Sequence, residues 1–178
     1  MNTSRLTSKE YFKGINLIYY ALISGVLIFF LITLFLNFTG NIPISDIDED
    51  VLLINVLIIT GLVFLAAGIF GGQIFFNNKL KKINEQKEDL LIKTAEYRSS
   101  LIIRYALIEG PAFFSIIGYF LTASYIFIVF VGIAIAIYII VLKPTRERLI
   151  IDLQLDNIEK EKIYDPNAII SEIVLRDN

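Results

Sequence analysis

The chain has 178 residues, 56% of them apolar, with a mean hydropathy of +0.68 and a net charge of −2. The near-neutral balance supplies no global basic field, so nucleic acid is not an expected partner. With no Cys and no His, disulfides, Cys/His zinc sites and His-based triads are excluded. No metal or cofactor is expected, and no catalytic motif stands among the remaining Asp, Glu, Lys, Arg, Tyr and Ser residues, so an enzyme is not expected. The apolar residues are concentrated in long uninterrupted runs, the pattern of membrane spans.

Residues 1–14 are polar and carry Arg5, Lys9 and Lys13. Thr7-Ser8-Lys9-Glu10 has capping-box spacing, which predicts a helix that begins here and runs into the membrane. Residues 15–36 then run 22 positions without a charge. That is too long for the apolar region of a signal peptide, and no A-x-A-like site follows, so the run reads as a retained first span. The loop 37–50 holds the turn residues Thr39-Gly40-Asn41-Ile42-Pro43 and the acidic cluster Asp46, Asp48, Glu49 and Asp50. The cluster lacks the glycine and distal glutamate of a calcium loop and reads as a solvated loop. Residues 51–76 form a second span. Gly68 and Gly72 make a small-x-x-x-small pair there, and Gly132 with Ala136 makes another later in the chain. Such pairs let helix backbones approach closely, within one bundle or across a homo-oligomer.

Residues 77–104 are polar. Leu80, Ile83, Lys87, Leu90, Thr94, Tyr97 and Leu101 recur at spacings of three and four, without Pro or Gly between them. This predicts one amphipathic helix over 77–102, able to contact a protein partner through 77–104 or the chain's own C-terminal segment. Residues 103–142 read as a second transmembrane hairpin, broken only at Thr122-Ala123-Ser124. A third span starting at Pro111 would leave about 17 Å before that break at 1.5 Å per residue, against a hydrocarbon core of about 30 Å. The span must therefore include 103–110, and Glu109 lies inside it. Residues 143–178 are polar again. Thr145 can cap a short helix, Asp156-Asn157-Ile158-Glu159 repeats the capping-box spacing, and Asp165-Pro166-Asn167 is a turn. The apolar tail after it fits a strand or a helix.

All 16 Lys and Arg residues fall before the first span, between the second and third, or after the fourth. This asymmetry predicts that both termini and the 77–104 segment are cytoplasmic. Glu109 then lies about 7–8 Å below the cytoplasmic surface, five residues in from Arg104. Asn16, Tyr19, Tyr20, Gln73 and Tyr138 fall at similar depth in the other spans. Polar groups in lipid need partners. These residues are therefore expected to form a hydrogen-bonded layer centred on Glu109, with ion binding or protonation as its candidate role. Gly110 and Pro111 loosen the helix beside it, and Pro111 frees the carbonyl of Leu107.

Ala106-Leu107-Ile108-Glu109-Gly110, with Ala112 and Phe114, resembles the carboxylate helix of the proteolipid ring subunit of rotary ATP synthases. Ala67-Gly68-Ile69-Phe70-Gly71-Gly72-Gln73 looks like the end of that family's Gly-rich helix. The resemblance covers residues 61–123 and implies that Glu109 matches an ion-binding carboxylate. The sequence departs from the family in its long charged segment between the helices, in Pro111, and in two additional spans. The whole chain also resembles the small four-span membrane proteins of bacteria.

The expectation is thus an all-α, four-span transmembrane helical bundle with cytoplasmic amphipathic helices and both termini cytoplasmic. It would reside in the bacterial cytoplasmic (inner) membrane, with the lipid bilayer as its first partner. Its role would be that of a structural or accessory component of a membrane assembly, or of a proton- or sodium-handling protein using Glu109.

Overall fold

A computed structural model of the chain describes residues 2–40, 51–86 and 88–175. The acidic cluster Asp46, Asp48, Glu49 and Asp50, and the heptad position Lys87, lie outside the described residues. The elements run β1 (Asn2–Thr7), α1 (Ser8–Phe38), α2 (Val51–Ala66), a π turn (Ala67–Gly71), α3 (Gly72–Glu85), α4 (Leu90–Thr122), α5 (Ile126–Val141), α6 (Arg146–Asp152), α7 (Asn157–Tyr164) and β2 (Ile169–Leu175). Three helical stretches are long and apolar enough to cross a membrane: α1, Val51–Glu85 taken through the π turn, and α4. The number rises to four if α5 and α6 together count as one bent span. The chain is thus predominantly helical, with the makeup of a multi-pass membrane protein.

Capping chemistry sets several helix starts. The Thr7 hydroxyl accepts from the Glu10 amide at 3.3 Å, and the Glu10 carboxylate accepts from the Thr7 amide at 2.9 Å. That reciprocal pair opens α1. The bonds from Thr7 hold the Glu10 carboxyl below the usual carboxylate range. Asp156 and Glu159 form the same box at α7, and Thr145 accepts from the Arg148 amide at α6.

The chain divides into two compact units. One, polar, comprises Met1–Tyr19, Ile74–Arg104 and Pro144–Asn178. Within it β1 and β2 pair antiparallel, Arg5 opposite Glu172 and Leu6 opposite Ser171, with an irregularity between Leu6 and Thr7. The apolar tail is therefore a strand. Its partner at the N-terminus was not expected, because the pairing joins opposite ends of the sequence and leaves no local signal. The core of this unit holds Tyr11, Ile15, Ile83, Tyr97, Leu149 and Ile163.

The single helix expected over 77–102 is corrected. α3 ends at Glu85 and α4 begins at Leu90. Asp89 starts the new helix: its carbonyl accepts from the amides of Ile92 at 3.0 Å and Lys93 at 3.1 Å, and its carboxylate accepts from the Leu90 amide at 2.8 Å. The heptad spacing marked the inward face: Ile83, Leu90, Thr94, Tyr97 and Leu101 are buried, and Leu80 is half-buried. A repeat of that kind records which residues face inward. It does not require an unbroken backbone, and an acidic N-terminal residue interrupts the helix without Gly or Pro.

The other unit, apolar, comprises Tyr20–Gln73 and Tyr105–Lys143. Aromatic side chains fill spaces left by small residues. A Cβ on Gly61 would stand 3.4 Å from each of Phe114, Phe127 and Phe130, and one on Gly118 would stand 2.6 Å from Phe127. Phe29 packs on Phe113 at 5.6 Å, and Phe64 meets Phe114 edge-on at 5.8 Å. Ala123, at φ 51°, turns the chain between α4 and α5. Thr122 holds that turn by donating to the Gly118 carbonyl at 2.7 Å and accepting from the Ser124 amide at 3.2 Å. Large apolar side chains such as Leu31, Leu52, Phe70 and Ile140 are exposed, as lipid-facing positions require.

Candidate functional site

The sequence singles out the segment around Glu109, and the packing there begins with proline chemistry. Pro111 lies inside α4 and has no amide hydrogen, so the Leu107 carbonyl has no helical donor. The π turn Ala67–Gly71 supplies what covers it. A Cβ on Gly68 would stand 2.3 Å from the Leu107 oxygen and 2.9 Å from Pro111 Cγ. Only a glycine hydrogen fits there, and it places a Cα–H against the freed oxygen. The extra residue of a π turn shifts the helix face locally. Its end is tied by the Gly72 amide, which donates to the carbonyls of Gly68 and Ile69.

Glu109 points elsewhere. At 3.6 residues per turn it lies about 200° round α4 from Leu107. The freed carbonyl and the carboxylate are on opposite faces and do not form a joint ligand set. Glu109 is half-buried and makes no hydrogen bond or ion pair with any described residue. The expected hydrogen-bonded layer therefore does not centre on it.

The buried Tyr138 hydroxyl donates to the Tyr105 carbonyl at 2.8 Å, and the Tyr105 hydroxyl donates to the Leu142 carbonyl at 3.1 Å. The two rings tilt together at 6.2 Å. This tyrosine pair is the polar lock between α4 and the end of α5. Tyr105 was missed, although its place beside Arg104 put it at the right depth. Asn16 spends its amide on its own helix, donating to the Phe12 carbonyl at 2.8 Å. Tyr19 is buried, whereas Tyr20 and Gln73 are exposed. Gly72 is buried, but Gly132 and Ala136 are exposed, and a Cβ on Gly132 would meet nothing within 4 Å. Gly132 thus faces no described part of the chain.

A second polar constellation lies wholly within the polar unit. The Tyr97 hydroxyl donates to Asp152 Oδ2 at 2.9 Å, and Asn84 Nδ2 donates to the Asp152 carbonyl at 3.0 Å. Burial pushes the Asp152 carboxyl above its ordinary value. The Tyr97 bond and the charges of Arg148 and Arg104 act in the opposite direction. Tyr97 meets Phe76 edge-on at 5.8 Å, and the buried Arg104 guanidinium lies 4.6 Å from the Phe76 ring centroid. Lys93 and Glu159 form a largely buried pair at 2.9 Å. The Thr94 hydroxyl bonds to the Ile170 carbonyl of β2, and the Thr94 carbonyl accepts from the Tyr11 hydroxyl at 3.0 Å. These residues fasten α1, α3, α4, α6, α7 and β2 to one another. The Thr145 cap marked Asp152 as a helix position, but nothing nearby in sequence named Tyr97 as its partner.

No protein-family model, no curated protein and no solved structure matches the chain.

Proposed function

We propose that the chain is a four-span protein of the bacterial cytoplasmic membrane, with both termini on the cytoplasmic side, and that it serves as a structural or accessory component of a membrane assembly. One observation carries this reading. The three basic stretches that charge asymmetry assigns to one side of the membrane fold together into a single unit with its own core. Stretches separated by spans can pack together only if an even number of crossings lies between them. This supports the inside assignment of all three. The short α5, 16 residues long, completes the fourth crossing with its flanking Tyr125 and Leu142.

A folded platform of this kind suits contact with a protein partner. Ile92, Ile151 and Ile158 are exposed on it, outside the long apolar runs. Cysteines introduced at 46 and 87 should label from opposite sides of the membrane, and labelling from the same side would refute the topology. Lysine at Ile92, Ile151 and Ile158 should abolish co-purification of the partner while leaving the thermal melt unchanged.

A second reading is ion handling at Glu109. It is favoured by a half-buried carboxylate without a described partner in an apolar helix, since intramembrane carboxylates are costly and usually have a role. It is also the residue that matches the ion-binding carboxylate in the A-L-I-E-G resemblance. Treatment with a hydrophobic carbodiimide, followed by mass spectrometry, separates the two readings. Modification of Glu109 that Na⁺ or high pH suppresses would assign ion handling. Full function in Glu109→Gln, with no modification, would leave the structural role.

A further inference from the structure

On the polar unit, a surface groove of about 580 Å³ runs between α3, α4 and β2. Its charged walls are Lys79 from α3, Glu96 and Arg98 from α4, and Glu172 from β2. None of these four makes an ion pair or hydrogen bond through its side chain with a described residue. Arg5, opposite Glu172 in the ladder, makes no ion pair with it either. Beside Glu172 stands Ser171, 1% exposed, whose hydroxyl is buried without a hydrogen-bond partner. A buried hydroxyl of this kind ordinarily finds one. Two cations, two carboxylates and an unsatisfied hydroxyl thus line one recess.

The groove is graded along α4. Its charged side chains sit on the turns around Glu96 and Arg98, and Ile102 and Ile103 line its far end. Beyond Arg104 the helix enters its apolar stretch. The recess therefore offers balanced charge at one end and aliphatic surface at the other.

We propose that this groove binds a zwitterionic phosphoethanolamine headgroup, its phosphate on Lys79 and Arg98 and its ammonium on Glu96 and Glu172, as presented by a phospholipid whose acyl chains pass Ile102 and Ile103. An anionic headgroup would satisfy the two cations and leave both carboxylates unmatched. A quaternary ammonium would offer them no N–H donors. Charge balance and donor count, rather than size, set the preference. The inference is independent of the scaffold role and of Glu109.

The test is native mass spectrometry of the full chain released from micelles holding equal amounts of phosphatidylethanolamine, phosphatidylglycerol and phosphatidylcholine. Phosphatidylethanolamine should be retained about three- to tenfold over the other two, the size expected of one or two half-buried ion pairs. The double variant Glu96→Gln, Glu172→Gln should lose that preference while still retaining phosphatidylglycerol. The variant Lys79→Gln, Arg98→Gln should lose retention of both. Displacement of the lipid by soluble phosphoethanolamine would show that the headgroup alone is recognised. Resistance to displacement, with the same lipid preference, would show that the acyl chains contribute. Equal or stronger retention of phosphatidylglycerol by the unaltered chain would overturn the proposal, and so would an unchanged preference in the Glu96, Glu172 variant. The ranking by the unaltered chain decides the matter even if a variant fails to fold.

Discussion

Gly68 packs directly on the carbonyl of Leu107: a Cβ there would stand 2.3 Å from that oxygen. The oxygen is the one that Pro111 deprives of its helical donor. The glycine of one helical stretch and the proline of another are thus two halves of one contact. The π turn at Ala67–Gly71 presents the glycine, the proline exposes the carbonyl, and the close approach covers it without a side chain.

Replacement of Gly68 by Ala should therefore destabilise the chain by about 1–3 kcal/mol, the usual cost of overpacking a filled interface. The same change at Gly132, where an added Cβ meets nothing within 4 Å, should be neutral or stabilise by up to about 1 kcal/mol through helix propensity. Circular dichroism melts of the two variants in one detergent would measure the contrast. Equal melts would show that the Gly68 contact is not close-packed.

Thr94 should matter more than a single hydroxyl in an amphipathic helix suggests. Thr94→Val keeps shape but removes the donor to the Ile170 carbonyl of β2. It leaves a buried acceptor unsatisfied, at a cost of about 1–3 kcal/mol. The Tyr11 bond to the Thr94 carbonyl would persist, so the effect should concentrate on β2. Faster proteolysis at the C-terminal strand would report it, and Thr94→Ser should restore protection.

Asp152 sets a pH dependence of known sign. Its folded pKa is raised, chiefly by burial, so the folded chain holds this proton to higher pH than the unfolded chain. Stability from this group is greatest at acid pH. It falls as pH rises from its ordinary value of 3.8 through the raised one. Glu10 acts oppositely: its lowered value contributes stability above the ordinary carboxylate range that is lost as pH falls. Asp152→Asn keeps an acceptor for Tyr97 and removes the acid-side step, so the melting temperature of the variant relative to the parent should rise between acid and neutral pH. A difference that stays flat across that range would contradict the assignment.

The amino-acid sequence alone determined the features that act over a few residues. Apolar runs located the helices long and apolar enough to cross a membrane, because hydropathy is a property of local composition. The Thr7–Glu10 and Asp156–Glu159 pairs and Thr145 marked helix starts, because a cap reaches only the next turn. The heptad spacing identified Ile83, Leu90, Thr94, Tyr97 and Leu101 as a buried face. What it left open was whether the backbone beneath that face was continuous, and Asp89 decided this by starting a second helix. Tertiary structure decided every contact whose partners lie far apart in the chain. β1 found β2 at the opposite terminus, Tyr97 found Asp152, Tyr138 found Tyr105, and Gly68 found Leu107. A sequence pattern records that a residue prefers an apolar or hydrogen-bonded environment. Which distant group supplies that environment is settled only when the helices pack, and here the packing covered the carbonyl freed by Pro111 on the face of α4 that Glu109 does not share.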